Sequence, residues 1–179
     1  MNQQLKMQLE AETSRANIYF VTAWVGDNQK RIAELVDLAL DIDSQVSAKA
    51  LWALEKVATI HHNILLPYIP SIVDALTMFP TSGMRRISCK ILMLSDVPSD
   101  FDGPIVDFCF RMLESFDEPI GVKANCLSLI AERLDKYPEL ESELNAVVSE
   151  IIGNSGSKGF AVRARKVMLK DNSNGGNRS

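Results

Sequence analysis

VSAKALWAL, residues 46 to 54, sets the architecture, because its pattern returns along the chain at a nearly fixed interval. A basic residue followed by a small or apolar one recurs at Lys49-Ala50, Arg86-Ile87, Lys123-Ala124 and Arg163-Ala164, with spacings of 37, 37 and 40 residues. A fifth pair, Arg15-Ala16, lies 34 residues upstream of the first. Self-similarity with a period of about 20 to 50 residues marks one supersecondary unit that is copied and stacked.

The segments between these points repeat as well. Ile32, Leu35, Val36 and Asp37 correspond to Ile69, Ile72, Val73 and Asp74 at an offset of 37, and Val106, Cys109, Phe110 and Leu113 follow Ile69, Ile72, Val73 and Leu76 at the same offset. Three- and four-residue spacing of apolar side chains is the mark of an amphipathic helix. Each repeat is therefore a helical hairpin.

In chain order, Ile18, Val21, Trp24 and Val25 predict a helix ended by Gly26-Asp27-Asn28. Helices follow over 29–43 and 44–60, with Asp43 or Ser44 as cap of the second. His61, His62 and Asn63 make a turn, and Pro67 and Pro70 suit the first turn of a helix reaching Phe79, where a missing N–H is harmless. The next helices are read over 84–94, 104–116 and 122–134, with a loop from Pro98 to Gly103 and Asp117 as cap of the last. A helix from Pro138 places Leu144, Val147, Val148 and Ile151 on one face. Gly153 to Gly159 reads as a connector, 160–169 as a terminal helix, and the polar segment 171–179 as a disordered tail. No strand signal survives.

A 179-residue chain with 46% hydrophobic and 23% charged residues has the make-up of a soluble globular protein, so residues 1–170 are expected to form one domain. No apolar run approaches the length of a membrane helix and the start lacks a signal-peptide layout, which predicts a cytoplasmic monomer with no membrane partner. Cys89, Cys109 and Cys126 lie among apolar neighbours without CxxC spacing and read as reduced core residues. No cofactor or metal is expected.

Paired helices at this period, with a proline near the start of one and a Val-Lys/Arg-x-x-Ala-like start to the next, resemble HEAT repeats. The residues that carry the resemblance are LLPYIPSIVDAL from Leu65, VKANC from Val122 and VRARK from Val162. The likeness spans roughly residues 15–170, and VSAKALWAL, DFCFRML and GFAVRARKV are similar to a family of short bacterial HEAT-like proteins. It implies an all-α α-solenoid of about four hairpins plus a terminal helix. HEAT units often place an Asp six residues before the basic residue to bridge neighbouring units, and Asp43 with Lys49 and Asp117 with Lys123 fit that spacing. Pro80 and Ser157 stand there in the other two units. The resemblance also implies that the basic-led helices line the concave side.

Charge divides between the two kinds of helix. The basic-led segments 44–60, 81–95, 118–133 and 157–170 carry +1, +3, 0 and +5, whereas their partners 29–43, 64–79, 104–117 and 138–151 carry −2, −1, −2 and −4. Helical spacing sets Lys49 with Lys56, Arg86 with Lys90, and Arg163 with Lys166 and Lys170 on shared stripes, with Trp52 near the first. These eight residues form the candidate partner-binding set. The competing assignment is structural: ladder cations held in pairs, with Trp52 packed between units.

The remaining constellations are weaker. His61 and His62 are adjacent, so on a helix their side chains diverge by about 100° and do not share a metal. GNSGSKGF, from Gly153, departs from a phosphate-binding loop at Ser157 and Gly159. Asp100, Asp102 and Asp107 lack the order of a calcium loop and read as loop solubility and helix capping. The expected function is a non-enzymatic module holding an acidic protein or peptide segment in a basic groove. Nucleic-acid binding through the same layer is the alternative. Catalysis on a damaged base, which some HEAT-like glycosylases perform, ranks last, because Glu55, Glu118 and Glu132 are the basic helices' only carboxylates and none is convincingly placed.

Overall fold

The computed structural model describes residues 3–174, with side chains for all of these except 155 and 168–174. Among the described residues there are ten α-helices, two 3-10 turns and no strand. By packing, the chain falls into two compact units, Met1–Phe101 and Asp102–Ser179.

The first unit holds α1 (Gln3–Ala11), α2 (Arg15–Val25), α3 (Gln29–Leu40), α4 (Ser47–Ile60), α5 (Ile69–Ala75) and α6 (Ser82–Met93). Helix α4 pairs with α3 as a hairpin and packs sideways on α2 and α6, while α3 meets α5. The basic-led helices α2, α4 and α6 thus form one layer, and α3 and α5 another. Leu51, Leu54 and Val57 of α4 are wholly buried, as are Ile32 and Leu35 of α3. Each such side chain contributes about 1.5–3 kcal/mol on burial. A lone hairpin has no neighbour against which to bury both faces, so stacking supplies the missing surface.

Local chemistry sets most boundaries. Ser14 and Asn28 accept hydrogen bonds from the backbone N–H of Asn17 (3.0 Å) and Arg31 (3.1 Å), and Thr81 from that of Met84 (3.3 Å), satisfying first-turn donors. Pro67 opens the 3-10 turn Leu66–Tyr68 and Pro70 the first turn of α5, as their spacing predicts. Helix α4 differs from expectation. Val46 stands at its N-cap without a side-chain bond, and Ser47 Oγ instead donates to the Ala39 carbonyl at 2.6 Å, tying α4 to the end of α3. Helix α1 is an addition to the expected elements. Its Leu5 and Leu9, four residues apart and buried, are the signal that reveals it.

The second unit holds α7 (Asp102–Glu114), α8 (Ile120–Ala131), α9 (Leu140–Ser155) and α10 (Lys158–Asn174). The layering is the same: α7 and α8 form a hairpin, α8 packs on α10, and α7 on α9. Helix α7 begins at Asp102, before the expected Pro104, because Ser99–Phe101 winds a 3-10 turn into it. Pro119, not Asp117, occupies the N-cap of α8. The connector is shorter than its glycines suggest: α9 continues through Gly153 and stops at Gly156, whose φ of +59° is the left-handed conformation that ends helices. Helix α10 runs from Lys158 through Asn174, past the expected end at 169, so residues 171–174 of the expected tail are helical, and 175–179 lie outside the described residues.

The 37-residue correspondence is physical. Ile69, Ile72, Val73 and Leu76 are buried, as are Cys109, Phe110 and Leu113; at Val106 the buried position shifts to Ile105. Cys89, Cys109 and Cys126 are all buried. No helix among the described residues is long and apolar enough to cross a membrane. The fold class is all-α, with helices stacked pairwise as in an α-solenoid.

Candidate interaction surface

Lys49 does not bridge to Asp43. Its ammonium group donates to the carbonyl of Leu9 at 2.7 Å and lies 3.5 Å from that of Glu12, at the C-terminal end of α1. Lys123 likewise donates to Leu113 O at 2.8 Å, at the end of α7, rather than to Asp117. Arg85, next to the repeat position Arg86, donates to Phe79 O at 2.6 Å. The last carbonyls of a helix have no intrahelical donor and carry the negative end of its dipole, so a cation from a neighbouring helix satisfies both. At Lys49 and Lys123 the expected carboxylate ladder is replaced by helix-end caps.

The point of convergence in the first unit is Glu55, a carboxylate whose sequence position marks no role. Its side chain is only 5% exposed, with Lys90 Nζ at 2.8 Å from one oxygen and Lys56 Nζ at 3.0 Å from the other. Burial pushes this carboxyl group up, but the hydrogen bonds from Lys90 and Lys56 outweigh it and hold Glu55 below the ordinary glutamate range. Two cations on one carboxylate leave a net positive charge. Both lysine side chains remain partly exposed, Lys90 at 45% and Lys56 at 24%.

Helix α2 extends this cluster. Arg15 lies over the ring of Tyr19, 5.4 Å from its centroid, and donates to the phenol oxygen at 3.2 Å. The hydrogen bond and charge of Arg15 hold the Tyr19 phenol below its ordinary value, with Lys56 adding in the same direction. Tyr19 is thus an exposed aromatic beside the Glu55 cluster. Trp52 is half-buried on α4. The indole that receives a cation is Trp24, with Arg31 at 4.2 Å from the ring.

The structure therefore brings Lys56 and Lys90 together and places Arg86 at an exposed position on the same helix as Lys90. In the second unit, Arg163 is half-buried, its Nε and Nη2 donating to Ser128 Oγ at 3.0 and 2.8 Å, while Lys166 is exposed. The side chain of Lys170 lies outside the described residues.

Asp102 is not a loop solubiliser. It is buried at the start of α7, taking Arg133 Nε at 2.7 Å on one oxygen and, on the other, Lys136 Nζ at 3.0 Å and the Tyr137 hydroxyl at 3.2 Å. His62 and Asn63 form a turn as predicted, and both meet Asp96. His62 Nε2 lies 3.4 Å from its carboxylate, and Asn63 exchanges hydrogen bonds with its side chain and backbone at 2.6 and 2.8 Å.

A family profile described as a HEAT repeat domain matches residues 5–171. No curated protein and no solved structure matches the chain.

Proposed function

Because the chain belongs to the HEAT repeat domain family, whose members typically serve as protein-interaction scaffolds, we propose that it is a non-enzymatic module binding an acidic protein or peptide segment on the α2–α4–α6 layer. The observation that carries this reading is the sharing of Glu55 by Lys56 and Lys90. The buried carboxylate fixes both ammonium groups, so a partner carboxylate meets cations that have already surrendered much of their freedom. Arg15 and Tyr19 extend the same face with charge and an apolar ring.

Of the remaining proposed set, Arg86 and Lys166 add exposed charge. Lys49 holds the end of α1 against this layer, and Arg163 ties α10 to α8 within the second unit. Trp52 supplies a half-buried apolar surface, and Lys170 belongs to the set by its sequence spacing.

The test is anisotropy of a fluorescein-labelled Asp/Glu-rich peptide, with a short single-stranded DNA as competitor. Arg15→Gln combined with Lys90→Gln leaves Lys56 on Glu55. It is expected to weaken peptide binding about tenfold, the equivalent of ~1.4 kcal/mol. Lys30→Gln, on α3, leaves binding unchanged. Equal affinity of the double variant would sink the proposal. DNA that displaces the peptide, with affinity falling steeply in salt, would move the function to nucleic acid.

A further inference from the structure

The second unit carries a surface of opposite character. A cleft of about 500 Å³ opens where the end of α7, the start of α8 and the last turns of α9 meet. Its size falls within the range of about 300–1,000 Å³ typical of binding pockets. Leu113, Ile120, Val147 and Ile151 form its apolar lining, and Phe116 stands at its edge with 91% of its surface exposed. A phenylalanine left in water to that degree gives up most of the stabilisation its burial would supply. A partner that covers it recovers that stabilisation.

The polar lining decides the partner. Glu114 and Glu150 are both exposed, and neither is ion-paired among the described residues. The cation there, Lys123, is engaged with the Leu113 carbonyl. Helices α7 and α9 both end at the cleft, so their dipoles add negative potential. The N-terminus of α8 contributes in the opposite sense, so the two helix ends and the exposed Glu114 and Glu150 set the sign of the cleft.

We infer that this cleft binds a cationic protein segment with an apolar anchor, the anchor packing against Phe116, Ile120 and Val147 and flanking lysines or arginines meeting Glu114 and Glu150. The charge requirement is the reverse of that on the α2–α4–α6 layer, so the chain can engage two chemically distinct segments. The two surfaces share no residue, and binding at the cleft does not depend on an acidic segment being held by the other.

The probe is a short fluorescein-labelled peptide with lysines on both sides of a Leu-Phe pair, compared with its glutamate-flanked counterpart. Glu114→Lys with Glu150→Lys, and separately Phe116→Ser, alter exposed side chains, and circular dichroism confirms the fold. The lysine-flanked peptide is expected to bind the native chain and lose about tenfold in affinity with the charge reversals, the equivalent of ~1.4 kcal/mol. It also weakens with Phe116→Ser, and the glutamate-flanked peptide gains affinity for the reversed cleft. Arg15→Gln with Lys90→Gln leaves lysine-peptide binding unchanged. No binding to the native chain, indifference to the reversals, or equal binding of both peptides would each overturn the inference.

Discussion

Asp102 shows how a single buried charge holds the second unit together. Its carboxylate joins the first turn of α7 to Arg133, Lys136 and Tyr137, just beyond the end of α8. Removing one member of a buried pair leaves an uncompensated charge, so Asp102→Asn should lower stability by about 3–5 kcal/mol in urea unfolding. Burial pushes the Asp102 carboxyl group up, but Lys136, Arg133 and Tyr137 prevail and hold it below the ordinary aspartate value. Its unfolded form therefore takes up a proton first as pH falls. The stabilisation is complete above the ordinary value of about 3.9 and is lost as pH drops through the folded value. Urea midpoints of the native chain should fall more steeply below that point than those of Asp102→Asn; parallel curves would rule this out. None of this is legible locally, since Arg133 and Lys136 lie 31 and 34 residues away. Glu55 is hidden for the same reason, with Lys90 35 residues on.

Among the helices, the end of α9 separates two glycines that composition alone makes equivalent. Gly156 has φ +59°, where a side chain is strained whatever the space around it, whereas Gly153 lies within the helix with open space where a Cβ would stand. Gly156→Ala should therefore cost about 1 kcal/mol, and Gly153→Ala should add about 0.5–1 kcal/mol by restricting the unfolded chain. Thermal unfolding measures both, and shifts of the same sign would refute this helix end. The sequence marks a break here but not which glycine makes it. Helix starts divide in the same way: Pro67 and Pro70 announce theirs, whereas α4 starts at Ser47, whose hydroxyl turns back to Ala39, a contact no local motif records.

Across the chain as a whole, the repeat is the legible property. Apolar positions at an offset of 37 stay apolar because each packs against its own copy's neighbour, which makes period and burial two expressions of one constraint. The segregation of charge is equally plain: the chain carries a net −4, yet three of its four basic-led segments, 44–60, 81–95 and 157–170, are net positive. What spacing does not supply is which cations remain available. Lys49 and Lys123 end on helix carbonyls, and Lys56 and Lys90 share a glutamate, through contacts that depend on neighbouring hairpins. Whether the α2–α4–α6 layer receives an acidic segment is decided by a backbone amide NMR titration of the 179-residue chain with the acidic peptide. The expected result is saturable shifts concentrated on α2, α4 and α6 around Arg15, Tyr19, Lys56 and Lys90, with α3 and α5 unmoved. Saturable shifts centred on α3 and α5, or none at any concentration, would rule out that layer as the binding surface.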